Sequence, residues 1–168
     1  DYSTGLANYF KKAYQGELVY EGTYNTNESD FNAILTAVKA KNPDVIFCPS
    51  SIATAGLFIK QARELGITRP IMAGDTWENE TIIANAGAEN CEGVTFSTFF
   101  DENDPTASEF VTGFKAYLNS DQKNITMNGG SDGVAAVSAL GFDSYNVIVD
   151  AIQAADSTDS VAIRDALK

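Results

Sequence analysis

Asp75 follows Ile71-Met72-Ala73-Gly74, a short apolar run ending in glycine, and is followed by Thr76-Trp77. A carboxylate at the end of such a run can hold an ammonium through charge-assisted hydrogen bonds, and an indole beside it can wall a pocket or stack over a cation. The same residues also fit a plainer role, with Asp75 as the N-cap of a helix over 77–86 and Trp77 as a core side chain. Ser50 and Ser51 occupy the equivalent place after Val45-Ile46-Phe47-Cys48. Their hydroxyls sit where a following helix presents unpaired amides to a carboxylate or other anion, or else they simply cap that helix. Tyr2 begins a helix at the same end of these runs, although surface packing is the commoner role of an isolated tyrosine.

Other chemistry is excluded by residue type. The chain has no histidine, which removes Ser-His-Asp and Cys-His catalysis, His-ligated zinc and the commonest general base near neutral pH. Asp101-Glu102-Asn103-Asp104 resembles a calcium loop in charge only, because Pro105 occupies the fifth position and the required glycine and closing glutamate are misplaced. A solvated turn is expected there. No GxxxxGK or GxGxxG occurs, so nucleotide-phosphate cradles are absent, and no cofactor is called for. The sequons at Asn27, Asn79 and Asn124 are no more than this asparagine content gives by chance.

The elements that must position these residues belong to a chain of 168 residues, 44% hydrophobic, 20% charged and 11% aromatic, the composition of a globular domain or a large piece of one. Eleven Lys and Arg against 23 Asp and Glu give a net charge of -12, which repels a phosphate backbone and an anionic membrane surface. Nucleic acid is not an expected partner. Apolar runs are far shorter than the roughly 20 residues a membrane-spanning helix needs. The chain opens at Asp1 with no leader, so any targeting segment is expected to lie outside it, and the chain is read as an excerpt.

Helical and strand periods alternate through the first hundred residues. Leu6, Tyr9, Phe10 and Ala13 recur at helical spacing over 2–14, with Ser3 or Thr4 as cap; 17–24 (ELVYEGTY) is rich in strand formers. Ser29-Asp30 is expected to cap a second helix carrying Phe31, Ile34, Leu35 and Val38. Asn42-Pro43-Asp44 breaks it, and 45–48 reads as a buried central strand. A helix over 53–65 with Leu57, Phe58, Ile59 and Ala62 inward stops at Gly66. Strands over 70–73 and 93–99 flank a short helix near 79–86. This alternation predicts an α/β fold: a three-layer, right-handed parallel sheet with helices on both faces.

In such a sheet the ligand crevice lies beyond the carboxyl ends of the strands, which is where Ser50, Ser51, Asp75, Thr76 and Trp77 fall. Cys48 ends one strand while Cys91 precedes another, so the two should lie on opposite edges, beyond the roughly 7 Å a disulfide spans, as buried free thiols. The last third differs. Helices are expected over 105–118, 134–155 and 161–167, a polar Gly-rich loop over 119–133, and no strand after Phe100. These apolar helix faces need a sheet from elsewhere, and the first sheet lacks the strand that normally opens a doubly wound unit and lies at its centre. Both features suggest a polypeptide with a second, interleaved domain.

The segments LFIKQARELG (57–66), PIMAGDTW (70–77), AENCEGVTFS (88–97) and ALGFDSYNVIVDAI (139–152) closely resemble the branched-chain amino-acid type of periplasmic binding protein, and the likeness runs over essentially the whole chain. That family consists of two-lobed receptors for ABC importers whose type I lobes close on a ligand between them. The resemblance implies that 1–98 is most of the second lobe, without its first, central strand. Residues 99–168 would then be a crossover and helices that cover the first lobe. The remainder of the polypeptide, or a swapped copy, would complete the sheets. It further implies a tyrosine at Tyr2, an aromatic at Ser51 and an acid at Asp75 that takes the ligand ammonium. Ser51 departs from that pattern, and Asp75 is one methylene shorter than the glutamate of leucine-binding relatives.

The expected function is therefore an extracytoplasmic, non-enzymatic receptor that binds a small amino-acid-like ligand and hands it to membrane subunits of an ABC importer. The alternative is a ligand-sensing domain of a receptor or transcription regulator with the same fold. An enzyme or phospho-receiver on a flavodoxin-like sheet is the third class. It is weakened by the missing histidine and by the absence of an acidic pair after a first strand.

Overall fold

The apolar spacing of the opening residues closes into a helix, α1 (Tyr2–Ala13), in the computed structural model, which describes residues 1–168. Its cap is Asp1, whose carboxylate accepts from Thr4 N–H at 2.9 Å, rather than Ser3 or Thr4. Phe31, Leu35 and Val38 form the buried stripe of the next helix, α2 (Asn32–Lys41). The expected Ser29-Asp30 cap is replaced by a longer-range one. Phe31 N–H donates to Gln61 Oε1 at 2.7 Å, while Asp30 accepts from Asn32 N–H in a local turn.

Three short strands follow, β1 (Ile46–Phe47), β2 (Ile71–Ala73) and β3 (Val94–Phe96), all parallel in the order β1-β2-β3. Register aligns Ile46 with Ile71 and Ile71 with Val94. Between the strands run α3 (Ile52–Glu64) and α4 (Glu80–Ala86). Side chains alternate across a strand, so Ile46, Cys48, Ile71 and Ala73 face one side. There they join Leu35 and Val38 of α2, Phe58 and Ile59 of α3, and Ile82 and Ala86 of α4 in a single core. Each large side chain buried there contributes about 1.5–3 kcal/mol, so this layer holds most of the molecule's stability. On the opposite face Phe10 of α1 stacks on Phe47 at 4.3 Å. That cover is partial, since Met72 remains 47% exposed.

Residues 17–24 form no strand. A strand is defined by its ladder, and β1 is bonded to β2 alone, leaving its other edge without a partner. Side chains fix the segment instead: Tyr20 and Tyr24 pack on the core, and Lys11 pairs with Glu21 at 2.6 Å.

At the amino end of the sheet the Arg63 guanidinium donates to the carbonyls of Ile67, Arg69, Asn90 and Glu92 at 2.7–3.1 Å, tying the approaches to β2 and β3 to α3. The thiols are both free. Cys48 is buried, but Cys91 is only half-buried beside Arg63, so the expectation of two buried thiols holds for one.

After β3 the chain turns through Asp101–Asp104 into α5 (Ser108–Asn119), α6 (Gln122–Met127), α7 (Ala136–Ala155) and α8 (Ser160–Ala166). Helix α6 lies where a loop was expected. It is capped by Asp121 and stopped at Gly129 and Gly130, both in left-handed conformation, and its apolar positions are too few to reveal a period. These helices have no large buried cluster of their own. Val111, Leu118, Val134, Ala136 and Ala151 are buried, whereas Val137, Leu140, Phe142, Tyr145, Val147 and Ile148 of α7 are exposed. No helix is long and apolar enough to cross a membrane.

Candidate functional site

The carboxyl ends of β1 and β2 carry two short connections, Cys48–Ile52 and Gly74–Asn79, that meet above the sheet. Asp75 opens a single 3-10 turn, Asp75–Trp77, closed by Trp77 N–H on the Gly74 carbonyl and Glu78 N–H on the Asp75 carbonyl. Its side chain does not cap that turn, and α4 is capped instead by Asn79, which accepts from Thr81 N–H. The carboxylate is taken up elsewhere. Tyr2 Oη donates to Asp75 Oδ1 at 2.6 Å, and Oδ2 has no protein donor. Burial pushes the Tyr2 phenol above its usual range, and the hydrogen bond and charge of Asp75 push it further the same way.

Gly74 makes this meeting possible. A Cβ at that position would collide with the Tyr2 hydroxyl and with Leu6, so α1 can lean over the end of β2 only because residue 74 has no side chain.

Ser50 is not on the surface. It is buried, its Oγ accepts from the Cys48 thiol at 3.7 Å, and that sulfur is 3.4 Å from Tyr24 Oη. Its carbonyl accepts two hydrogen bonds, from Thr76 Oγ1 at 2.9 Å and Trp77 Nε1 at 3.0 Å. Trp77 is therefore a core side chain, 2% exposed, with its indole N–H turned to the Ser50 carbonyl. Burial raises the Cys48 thiol above its ordinary range and, together with the neighbouring sulfur, raises the Tyr24 phenol well above its own. Ser51 precedes α3 in extended conformation with no side-chain cap bond, so the pair does not act as a hydroxyl cap.

A cavity of about 320 Å³ opens between these connections and α7, bounded by Ile52, Asp75, Glu78, Phe99, Val137 and Leu140. Two carboxylates and no Lys or Arg line it, a field that favours a cation beside apolar walls. Of the sequence candidates, Asp75 and Thr76 line the cavity, with Tyr2 bonded to Asp75 and Ser50 fastened underneath. Glu78, Ile52 and the α7 residues were not singled out. Glu78 and Ile52 adjoin the predicted positions, while Val137 and Leu140 are legible only as a helical apolar face. A larger open crevice, about 670 Å³ between α4 and 127–138, contains neither Asp75 nor Tyr2. No cluster of His, Cys, Asp or Glu suited to a metal ion is present.

The family described as periplasmic binding protein matches residues 1–168. Among solved structures, a leucine binding protein from Thermotoga maritima superposes with a TM-score of 0.82 at 32% identity over 99% of this chain. A branched-chain amino acid transporter substrate binding protein from Streptococcus pneumoniae, in complex with isoleucine, gives 0.80 at 30% over 99%. The Leu/Ile/Val-binding protein homolog 3 of Brucella melitensis is 28% identical over 99% of the chain. The chain spans 43% of that relative and 45% of each of the two solved structures. Its fold is thus that of part of a type I binding protein.

Proposed function

The chain belongs to the periplasmic binding protein family, and on that footing we propose that the protein is an extracytoplasmic receptor that binds a small amino acid for an ABC importer. Residues 1–98 are read as most of one lobe, whose sheet lacks a central strand between 17–24 and β1. Residues 99–168 are the crossover and the helices that cover the other lobe. The exposed apolar side of α7 supports this assignment, because such a face calls for a sheet against it.

The observation that carries the reading is Asp75. Its carboxylate stands at the carboxyl end of β2, oriented through one oxygen by Tyr2, with the other oxygen free beside an apolar cavity that has no cationic lining. An α-ammonium would complete it by a charge-assisted bond, and the side chain would lie among Ile52, Phe99 and Leu140. Binding of this kind needs no covalent step. A ligand held by both lobes favours the closed form because it contacts both only there.

Calorimetry on the full-length protein with leucine, isoleucine, valine, threonine and alanine tests this. At least one is expected to bind, and Asp75→Ala to weaken it by on the order of 2–5 kcal/mol. Unchanged affinity in that variant would remove the carboxylate from the site.

A further inference from the structure

Two donors at the end of β2, the Thr76 hydroxyl and the Trp77 indole N–H, share a single acceptor, the Ser50 carbonyl at the end of β1. Resting on the reading above, we infer that Thr76 and Trp77 are positioning residues which, by clasping the Ser50 carbonyl, set the spacing between the Ile52 and Asp75 walls and thereby the ligand side chain that fits.

The argument is one of constraint. The connection after β1 carries Ile52, the one after β2 carries Asp75 and Glu78, and all three line the same cavity. Beyond the last ladder bond near the site, Cys48 N–H to the Met72 carbonyl at 2.8 Å, the two connections would be free to separate. The Ser50 carbonyl prevents it, taking a hydroxyl at 2.9 Å and an indole N–H at 3.0 Å from consecutive residues of the opposite connection. Both donors come from the 3-10 turn that presents Asp75, so any shift of that turn breaks two bonds together. Ser50 itself cannot yield. Its N–H is bonded to the Cys48 carbonyl at 2.8 Å, and its hydroxyl continues through the Cys48 thiol to Tyr24, a buried polar chain whose members are all paired.

A displacement of a cavity wall by a fraction of an ångström alters which side chains fit, because apolar walls discriminate by contact. Trp77, which does not line the cavity, thus acts on specificity from below it, and Thr76, which borders the cavity, acts through the hydroxyl it commits to the Ser50 carbonyl.

The test is titration calorimetry of L-leucine and L-alanine with the full-length protein and its Thr76→Val, Thr76→Ser and Trp77→Phe variants. Thr76→Val keeps shape and loses the donor; Thr76→Ser keeps the donor. We expect Thr76→Val and Trp77→Phe each to change the leucine-to-alanine affinity ratio about tenfold, and Thr76→Ser to restore it. A purely structural defect lowers the active fraction but leaves the ratio of the folded fraction as in the parent, and that result would overturn the inference. Thr76→Val covers the case in which Trp77→Phe fails to fold. A parent protein that binds neither amino acid overturns the receptor reading itself, and the inference with it. Loss of binding confined to Asp75→Ala overturns the inference alone.

Discussion

The Tyr2 hydroxyl donates to the Asp75 carboxylate at 2.6 Å although 73 positions separate the two residues, and the bond forms beside the bare Cα of Gly74. One helix start and one strand end are thereby joined at the point where the proposed receptor would hold a ligand ammonium. Tyr2→Phe should leave the fold intact, as Tyr2 is 43% exposed, and weaken amino-acid binding by about tenfold, the size of one lost hydrogen bond to a charged group. Gly74→Ala should reproduce that loss by pushing the phenol away, since the group in its path is the end of a side chain. Calorimetry of the two variants and their double mutant checks the link: the second substitution should add little to the first.

Gly56 offers a contrast. A Cβ there would meet Asn85 Cβ at 2.7 Å and backbone atoms of Ile82 and Ala86 at 3.2 and 3.3 Å, none of which can swing aside. Gly56→Ala should therefore force α3 from α4 and cost about 1–3 kcal/mol, measured as a lower midpoint in urea. A variant as stable as the parent would show that the two helices slide freely.

The buried Tyr24 phenol gives the fold an alkaline limit. Its pKa lies above the unfolded value near 10 because burial, and then the Cys48 sulfur, disfavour the phenolate. The native state therefore holds its proton where the unfolded chain has lost it. Stability from this group is whole below about pH 10 and falls as the pH rises past it. Tyr24→Phe should flatten that fall in denaturant titrations between pH 9 and about pH 12. The same burial should keep Cys48 unreactive toward a thiol reagent at pH 8 in the native state, while half-buried Cys91 reacts.

Helix α7 predicts association. Leu140, Tyr145, Val147 and Ile148 are exposed on one side of it, so the 168 residues produced alone should self-associate. Tyr145→Lys combined with Ile148→Glu should shift the sample toward monomer in sedimentation velocity. A strictly monomeric parent that melts cooperatively would mean the face is tolerated in water.

Much of the architecture was legible because hydrophobic period is a local property. The stripes of α1, α2 and α3 and the short apolar runs at β1 and β2 can be read from spacing alone, and the right-handed parallel sheet follows from their alternation. Readings failed where the answer lay with a neighbour. Residues 17–24 have strand-forming side chains yet no ladder, because pairing belongs to two segments. The cap of α2 comes from Gln61 on another helix, and α6 is set by its flanking Asp121 and glycines rather than by a stripe.

The site divides along the same line. That acids, hydroxyls and an indole would gather past the strand ends follows from chain order and chirality, because a parallel sheet sends every such connection to one edge. Which of them meet the cavity was decided by packing: Trp77 is large and apolar enough to be drawn into the core, its N–H then needs a buried acceptor, and Ser50 supplies one. Asp75, too costly to bury, is left at the rim with Tyr2 as its partner, and only the folded chain brings those two together.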